Sequence, residues 1–403
     1  MRLRSARSFL VGLLLVIVSG ASGYQLGFRK AWGGDILSDS GYSSDKIDTT
    51  LMRQVWNQLE KSYLHPEKID SKEMLYGAVE GMTQSLDDPY TSFLPPVENQ
   101  RSKEDLSGEF SGIGVQLGYK DKTLAVMSPL SENPAIKKGI RAGDLILKIK
   151  DEDKGVDKDT AGMSITEAVD LIRGEKGKSV TLTIFREGFK EPEEFTIVRD
   201  VINVPSVELT FVGDNVAHLK VTKFGEKTLP EWEASVTQIV KKKPSGIVLD
   251  LRNNPGGYLR RAIDLAGEFI NSGVVVQQKG REKTEIFNVT RNGKLLSVPV
   301  VVLVNGGSAS ASEILAGALR ERLNIKLIGE KTFGKGTVQE VVELPNGAGL
   351  HVTTAEWLLP SGKNIHGDGL EPDVVIEDDF ETDEDEQLSK AIEELRSINL
   401  GMK

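Results

Sequence analysis

Cysteine is absent from this sequence of 403 residues, and histidine occurs only four times, as His65, His218, His351 and His366. The lack of cysteine excludes disulfide bonds, which is compatible with an exported protein but does not require one. None of the histidines lies in a recognisable serine-hydrolase motif, and no Gly-x-Ser-x-Gly is present. We find no internal repeat and no metal-ligand cluster in the sequence, so it indicates neither a metal nor another cofactor.

An excess of positive charge is also missing. The 50 lysines and arginines are outnumbered by 60 aspartates and glutamates, which gives a formal net charge of −10. A chain of this sign is poorly suited to bind a phosphate backbone, so we expect no nucleic-acid partner. The length and the 39% hydrophobic content are sufficient for two or three packed domains.

The apolar run at the start of the chain predicts export. Arginines precede the apolar run Phe9 to Val18, and small residues follow at Ser19 to Gly23. This order is typical of a secretory signal. The run is short for a membrane span, although the next few residues could extend it into an uncleaved anchor. We therefore predict a signal peptide or membrane anchor over residues 1–28, a tether over 29–45, and a periplasmic or otherwise extracytoplasmic body.

A strand, a glycine turn and a helix follow one another after Val300. The apolar residues Val300 to Val304 predict a strand, and Asn305-Gly306-Gly307 predicts a turn. The small residues Ser308 to Ser312 then lead into a predicted helix, Ile314 to Arg320, and a second strand is predicted over Ile325 to Ile328. The first turn of a helix offers unpaired N–H groups and the positive end of the dipole, so this segment is suited to hold an oxyanion.

Ser310 and Lys335 are the candidate nucleophile and base. A serine is a weak nucleophile until a base removes its proton, and a lysine desolvated in an apolar pocket can act as that base. Lowering a lysine pKa from about 10.4 to about 7.5 costs roughly 4 kcal/mol, which burial of one amine can supply. Gln339 lies four residues after Lys335, where a neutral amide could orient the amine without raising its pKa.

Plainer interpretations of the same residues stay open at this point. Ser310 and Glu313 also form a Ser-x-x-Glu pattern, which is a helix capping box. A glycine-flanked lysine such as Lys335 is often only a solvated surface charge.

A nucleotide-binding interpretation competes with these. Gly329 to Lys335 reads Gly-x-x-x-x-Gly-Lys, the opening of a phosphate-binding P-loop, but Gly336 stands where Ser or Thr should hold magnesium. The loop should be followed by a helix, whereas Thr337 to Leu344 alternates like a strand. The aspartate that ends the apolar run Gly246 to Asp250 could bind a metal, yet it lies upstream of the loop.

Motifs in separate parts of the chain carry a family resemblance. They read Leu-Asp-Leu-Arg-Asn-Asn-Pro-Gly-Gly over Leu249–Gly257, Ser-Ala-Ser-Ala-Ser-Glu-Ile over Ser308–Ile314, and Gly-Glu-Lys-Thr-Phe-Gly-Lys-Gly-Thr-Val-Gln over Gly329–Gln339. In this order they resemble the carboxy-terminal processing (tail-specific) serine peptidases, over nearly the whole chain from about Ile47. The resemblance implies an α/β peptidase core of the crotonase/Clp-protease-like kind, with an N-terminal helical region and an inserted PDZ domain.

The resemblance also implies a role for each motif residue. Ser310 matches the nucleophile, Lys335 the general base and Gln339 the glutamine that follows it in the family. The N–H groups of Gly257 and Ala311 would form the oxyanion hole. Two further serines are placed by the match as supporting turn and helix residues: Ser308 and Ser312.

Residues 103–188 resemble the PDZ domain of that family. Gly112 to Val115 is similar to a glycine-rich loop and strand that receive a peptide carboxylate, although Gly-Ile-Gly could also be a simple strand bend. Ala135 to Ile146 matches the turn and strand of the family, and a capping box opens a predicted groove helix, Ser164 to Arg173. The residues expected to contact a C-terminal tail are Ile113, Gly114 and Val115.

Arg173 ends the predicted groove helix. It could pin the PDZ domain against the peptidase core when a substrate tail is bound. The helix dipole alone also favours an arginine at this position, so a switching role is a hypothesis.

The segment before the PDZ domain is predicted to be helical. Apolar residues at helical spacing predict helices over Ile47 to Tyr63 and Met74 to Leu86, within an N-terminal region of residues 46–100. The decapeptide Asp87 to Pro96 is similar to a stretch of the same family. In that family these helices help build a dimer and flank the substrate tunnel, so the resemblance implies a homodimer.

Strands and helices alternate through residues 189–378, which predicts an α/β core with Asn253 to Gly257 at the carboxyl end of a strand, where sites gather. Residues 379–403 are predicted to form an acidic linker and an amphipathic helix, Gln387 to Leu395. The predicted core elements, with the strand that closes the PDZ domain first, are strands Val180–Phe185, Val216–Val221, Gly246–Leu251, Val274–Gln278 and Val300–Val304 and helices Leu229–Lys242 and Leu259–Ile270.

These inferences predict an exported serine endopeptidase that captures the free C-terminus of a polypeptide substrate in its PDZ groove and cleaves near it at Ser310. Two other classes stay open. One is a PDZ tail-binding protein with an inactive peptidase-like core, and the other is the P-loop nucleotide-binding protein.

Overall fold

The computed structural model of the chain describes residues 48–130, 133–213, 215–377 and 384–401. The predicted signal peptide or anchor and the predicted tether lie outside these ranges, as does most of the acidic linker. The chain forms two compact units, Met1–Met74 and Leu75–Lys403. None of the helices in the described ranges is long and apolar enough to cross a membrane.

The N-terminal helices are present where helical spacing predicted them. Helix α1 (Thr50–Ser62) starts three residues later than expected, where the Asp48 carboxylate accepts a hydrogen bond from the Thr50 N–H at 2.9 Å. A 3-10 turn (Pro66–Lys68) and helix α2 (Ser71–Gln84) follow. Every residue of α1 is described and none is buried; Leu51, Val55 and Leu59 are exposed and Trp56 is partly exposed.

The PDZ region is an antiparallel sheet with two helices. It is preceded by strand β1 (Ser92–Leu94), helix α3 (Pro96–Ser107) and strand β2 (Glu109–Gly112). Its elements are β3 (Val115–Lys120), β4 (Thr123–Pro129), α4 (Pro134–Lys137), β5 (Leu145–Asp151), β6 (Val156–Asp159), α5 (Ile165–Ile172), β7 (Ser179–Phe185) and β8 (Glu193–Val198). The strand order is β3-β4-β5-β7-β8, with β6 on β5, so β3 lies at an edge beside α5.

The groove helix α5 is held at both ends. Its predicted capping box is confirmed at the start, where the Ser164 hydroxyl accepts a hydrogen bond from the Glu167 N–H at 3.1 Å. At its end, the buried Arg199 guanidinium donates to the carbonyl of Ile172 at 2.7 Å and pairs with the buried Asp151 at 2.5 Å. Strand β9 (Asp200–Asn203) then pairs with β2 and closes the insertion.

The core elements alternate as predicted. They are β10 (Val207–Val212), β11 (Val216–Val221), α6 (Thr228–Lys242), β12 (Gly246–Asp250), α7 (Leu259–Ala266), β13 (Val274–Gly280), β14 (Thr284–Asn288), β15 (Val300–Val304), α8 (Ala311–Leu323), β16 (Leu327–Gly329), β17 (Thr337–Glu343), a 3-10 turn (Pro345–Gly347), β18 (Gly349–Leu358), β19 (Val374–Val375) and α9 (Glu386–Gly401). The predicted mixed α/β core is therefore confirmed.

Helix ends account for the differences from prediction. α7 stops at Ala266 instead of Ile270, because Gly267 follows and the next residues form tighter turn bonds. α8 is longer than predicted at both ends and stops where Asn324 adopts a left-handed conformation, which delays β16 to Leu327. α9 likewise extends beyond the predicted Leu395.

A six-stranded sheet in the order β10-β11-β12-β15-β16-β19 forms the centre of the core. Neighbours from β11 onward are parallel. Strands β12 and β15 are buried along their whole length, as expected for central parallel strands covered on both faces. The carboxyl ends of these two adjacent strands lie side by side and lead into the glycine turn and the serine turn.

A second sheet contains β17, the strand that follows the loop of Lys335. Its strand order is β1-β18-β13-β14, with β17 paired to β18. Strand β1 pairs with the start of β18, which places Ser92 opposite His351. The decapeptide Asp87 to Pro96 is therefore anchored to β18, and its Tyr90 ring centre lies 4.9 Å from the Lys335 Nζ.

Helix α9 packs on the far face of the central sheet, where Ala391 and Leu395 join the cluster of Val248 and Val301. Arg252, directly after β12, links this helix to the sheet. Its guanidinium contacts Asp250 and Asp385, each at 2.8 Å.

Candidate active site

Ser310 lies at the tip of helix α8 in a rare backbone conformation. Its φ is 54° and its ψ is −115°, a positive φ that costs a residue other than glycine about 1–3 kcal/mol. Such strain persists only where the surroundings hold it. Here the preceding Ala309 N–H donates to the Asn254 carbonyl at 3.0 Å, so the serine turn is tied to the glycine turn after β12.

The two supporting serines strengthen this tie. The buried Ser308 hydroxyl donates to the Leu251 carbonyl at 2.8 Å, and the buried Ser312 hydroxyl donates to the Asn254 carbonyl at 2.9 Å. Both acceptors belong to the segment that follows β12. The small hydroxyl residues of the motif thus join two turns that lie 50 to 60 residues apart in sequence.

Gly256 and Gly257 lie directly against the serine turn. A Cβ atom on Gly256 would lie 2.8 Å from Ser310 Cβ and 3.0 Å from the Ala311 nitrogen. Gly257 has a φ of 136°, and a Cβ there would lie 2.3 Å from the Phe224 carbonyl oxygen. Only glycine fits at either position.

The hydrogen bonds around Gly257 leave its N–H facing away from Phe224. Phe224 N–H donates to the Gly256 carbonyl at 2.9 Å, and Tyr258 N–H donates to the Phe224 carbonyl at 2.7 Å. Within the described ranges, neither the Gly257 N–H nor the Ala311 N–H donates to an acceptor of the chain. The two donors predicted for the oxyanion hole therefore have no acceptor within the described ranges, and the neighbouring Gly256 lies against Ser310.

Glu313 joins the serine turn to the lysine loop. Its carboxylate is fully buried and accepts hydrogen bonds from the N–H groups of Ser310 at 2.8 Å and Lys335 at 2.9 Å. It also accepts from the Gly334 N–H at 2.7 Å and the Thr332 hydroxyl at 2.6 Å. Burial raises the pKa of Glu313, and these donors oppose that shift.

The capping interpretation of Glu313 is thus confirmed for the Ser310 N–H, but the same carboxylate also organises the loop of the candidate base. Sequence reasoning missed this second role. The pattern that names a cap carries no information about a loop 20 residues away.

Lys335 is half-buried in that loop. Its carbonyl accepts a hydrogen bond from the Trp357 indole at 2.8 Å, and its Nζ lies 4.9 Å from the centre of the Tyr90 ring. Burial lowers the pKa of Lys335, while the negative charge of Asp88 acts in the opposite direction. Both residues are described, and no hydrogen bond joins Lys335 Nζ to Ser310.

Gln339 lies on β17, beside a bulge in its pairing with β18. Its Nε2 donates to the hydroxyls of Thr337 at 3.0 Å and Thr353 at 3.1 Å. In the part of the chain that the structure describes, Gln339 and Lys335 share no hydrogen bond. The structure thus brings all three predicted catalytic residues to one region without aligning their side chains.

The P-loop interpretation is wrong. The residues after Lys335 form strand β17 and not the helix that would bind phosphate. The Gly336 N–H is also directed at the protein, because it donates to His366 Nδ1 at 3.4 Å.

The predicted peptide groove is a narrow cleft of about 80 Å³ between β3 and α5. Ile113, Gly114 and Val115 line it, together with apolar residues of α5 and the ring of Phe110. Gly114 has a φ of 75°, and a Cβ there would lie 2.4 Å from Asn133 Cβ, so the loop requires glycine.

Arg173 follows α5 and faces helix α3. Its guanidinium lies 4.4 Å from the centre of the Phe110 ring and 3.6 Å from the Glu104 carboxylate. Helix α3 is in turn held to the core, since Lys103 pairs with Glu343 of β17 at 2.7 Å. The switching role of Arg173 stays a prediction.

Three family models match separate parts of the chain. Residues 215–376 match Peptidase family S41, residues 100–185 match the PDZ domain, and residues 37–95 match the activating protease CtpB N-terminal domain.

Relatives match over most of the chain. The carboxy-terminal processing protease CtpA of Bacillus subtilis is 36% identical over 93% of this chain and 78% of its own length. The carboxy-terminal-processing protease of Bartonella bacilliformis is 38% identical over 76% of this chain and 70% of its own length. A putative S41 protease from Bacteroides fragilis, 17% identical, shares the fold with a TM-score of 0.55 over 86% of this chain and 97% of that one.

An α/β core with an inserted PDZ domain and a serine at a strand-to-helix turn is the arrangement of a PDZ-containing peptidase. The chain belongs to peptidase family S41, as one of the carboxy-terminal processing serine proteases.

Proposed function

We propose that this protease is an endopeptidase that uses Ser310 as nucleophile and Lys335 as general base, and that it selects polypeptides by their free C-termini. The observation that carries the proposal is the position of Ser310, strained at a helix tip and in contact with the glycine turn. A carbonyl presented to Ser310 would meet the N–H groups of Gly257 and Ala311.

The proposed mechanism gives each of these residues one role. Lys335 takes the hydroxyl proton as Ser310 attacks the carbonyl carbon, and the Gly257 and Ala311 N–H groups stabilise the oxyanion. Lys335 then donates the proton to the leaving amine, and water repeats the sequence to release the acyl product. Gln339 orients the neutral amine once it turns from Thr353 toward Lys335.

The PDZ groove supports the selection of tails. Strand β3 has an unpaired edge within the described sheet, to which an extended peptide can add as a further strand. The groove is lined mainly by apolar side chains, so an apolar C-terminal tail fits it best.

The cellular setting is part of the proposal. The arginine-flanked apolar run at the start of the chain supports export or anchoring at an extracytoplasmic membrane surface. The exposed apolar side chains of α1, such as Leu51, Val55 and Leu59, support a homodimer.

The test uses a loosely folded protein with and without an apolar C-terminal tail. We expect the wild-type protein to cleave the tailed substrate faster, and Ser310→Ala and Lys335→Arg to release no fragments, because arginine cannot be deprotonated. A magnesium chelator should have no effect. Activity in the Lys335→Arg variant would exclude Lys335 as base. Tail binding without cleavage by the wild type would instead identify a binding protein with an inactive core.

A further inference from the structure

The ammonium of Lys335 lies against an aromatic ring and makes no hydrogen bond to its expected partners among the described residues. Its Nζ lies over the face of the Tyr90 ring, at 4.9 Å from the ring centre. The negative face of an aromatic ring attracts a cation and not a neutral amine. Among the described residues, Nζ has no hydrogen bond to Ser310 or to Gln339. The position is therefore suited to the charged lysine, which cannot act as a base.

The turn that carries Tyr90 is held by hydrogen bonds. The Asp88 carboxylate accepts hydrogen bonds from the Tyr90 N–H at 3.0 Å and from the Thr91 hydroxyl at 2.7 Å. The Thr91 hydroxyl in turn accepts from the Thr353 N–H at 3.0 Å. Strand β1 continues the turn into the second sheet. These bonds tie the backbone of Tyr90 to β18, and the Tyr90 ring faces Lys335.

The same network also holds Gln339. Its Nε2 donates to the Thr353 hydroxyl at 3.1 Å, and the Thr353 backbone binds Thr91. His366 also packs edge-on against Tyr90, with the ring centres 6.0 Å apart, and accepts a hydrogen bond from the Gly336 N–H. Gln339, which is expected to orient Lys335, is therefore engaged elsewhere while the ammonium lies on Tyr90.

We propose that Asp88 and Tyr90 are positioning residues that hold the Lys335 ammonium away from Ser310 in the free enzyme. This inference rests on the proposed role of Lys335 as the base. Asp88 supplies the charge and Tyr90 the surface of the holding site. While the ammonium lies on Tyr90 it cannot take the proton of Ser310.

The charges around Lys335 support this assignment. The hydrogen bonds to Asp88 outweigh its burial and lower its pKa, so it is negative at neutral pH. His351 on β18 also faces Lys335, but burial and the lysine charge lower the pKa of His351 and leave it neutral there. Glu313 binds the Lys335 backbone N–H beneath the loop. Asp88 is thus the carboxylate whose negative charge stabilises the Lys335 ammonium and raises its pKa, against the effect of burial.

Movement out of the holding site would itself favour the reactive form. As Nζ moves toward Ser310 it leaves Asp88 and the Tyr90 ring, both of which stabilise the ammonium, while burial continues to favour the neutral amine. Loss of the proton is thereby coupled to arrival at the nucleophile. A substrate that draws Lys335 to Ser310 also activates it.

The test measures the pKa of the Lys335 side chain directly. Protein labelled with [6-13C]lysine is titrated by NMR, with the Lys335 signal assigned through Lys335→Arg, in wild type, Asp88→Asn, Tyr90→Leu and the control Asp87→Asn. Asp87 is an exposed neighbour whose replacement removes the same charge. Cleavage of the substrate without a tail is measured across the same pH range.

We expect Asp88→Asn to move the Lys335 titration about one pH unit lower. Tyr90→Leu should move it in the same direction and raise turnover of the tail-less substrate about threefold. Asp87→Asn should match the wild type. Because Asp88 also caps its own turn, Tyr90→Leu repeats the test with those hydrogen bonds left in place.

Two outcomes would overturn the inference. One is that the pH at which Lys335 titrates is lowered no more by Asp88→Asn and Tyr90→Leu than by Asp87→Asn. The other is a lower titration together with reduced turnover in both variants, which would show that the turn stabilises the ammonium formed during the reaction. If Ser310→Ala and Lys335→Arg are inactive while either outcome occurs, only this inference fails. If they cleave normally, the proposed function fails.

Discussion

The Glu313 carboxylate accepts a hydrogen bond from the backbone N–H of Ser310 at 2.8 Å. The same carboxylate oxygen accepts from the N–H of the lysine loop. One buried side chain therefore sets the distance between the candidate nucleophile and the backbone of the candidate base.

Replacing Glu313 with glutamine should weaken both the fold and the reaction. The amide keeps the shape, but its NH2 group faces N–H donors and cannot accept from them. We expect the unfolding free energy to fall by about 3 kcal/mol and kcat to fall about 100-fold because the lysine loop shifts. Denaturant unfolding and single-turnover cleavage measure the two effects. Glu340→Gln, an exposed change on β17, is the control, and equal behaviour of the two variants would contradict the role of Glu313.

Gly257→Ala should disrupt the proposed oxyanion hole, because it forces the backbone of the glycine turn to move. The new Cβ would lie 2.3 Å from the Phe224 carbonyl oxygen, so the turn must move and carry its N–H away from the oxyanion position. Loss of one such donor lowers kcat by about 100- to 1,000-fold, with little change in KM. Gly77→Ala on α2, where a Cβ meets nothing within 4 Å, should leave turnover unchanged. A Gly257→Ala enzyme with normal kcat would remove Gly257 from the oxyanion hole.

Asp250 should make stability depend on acid pH. The hydrogen bonds from His218 and Arg252 outweigh the burial of this carboxylate and hold its pKa well below the usual range. A lowered pKa contributes stability above the unfolded value, about 3.9, and this contribution is lost as the pH falls toward the folded value.

At pH 7, Asp250→Asn should therefore reduce the unfolding free energy by about 3–5 kcal/mol, because Arg252 loses a buried partner. The difference between wild type and variant should narrow as the pH falls below about 4. Denaturant titrations at several pH values measure it. A difference that is constant from pH 7 down to pH 3 would show that the charge of Asp250 is not the cause.

The contact between Arg173 and Glu104 should link tail binding to turnover. Arg173 follows the groove helix, and Glu104 lies on α3, which is paired to the core through Lys103. Both side chains are partly exposed, so we expect a coupling of only about 0.5 kcal/mol between Arg173→Ala and Glu104→Gln. A double-mutant cycle on kcat/KM should show this coupling with a tailed substrate and none without the tail. Purely additive effects with the tailed substrate would argue against a switch at this contact.

The strands and helices around the site could be predicted from local pattern because their apolar residues follow strand or helix spacing. Val300–Val304 and Val216–Val221 were predicted to the residue. The strand β17 was also predictable, and its alternation was the correct argument against a P-loop. Helix ends were less predictable, since α7 and α8 end according to local turn bonds and the backbone conformation of Asn324.

The sequence by itself determined the helices and strands, the two positions that only glycine can occupy, and the small residues of the serine turn. Each of these depends on residues that are close together in the chain. Tertiary structure decided which groups meet. Asp88 and Tyr90 reach Lys335 across more than 240 residues because β1 pairs with β18. Glu313 reaches the lysine loop, and Gln339 reaches Thr353 instead of Lys335, because strand register and helix packing place them there. Such contacts join residues that are far apart in the sequence, so the spacing of residues within one segment cannot predict them.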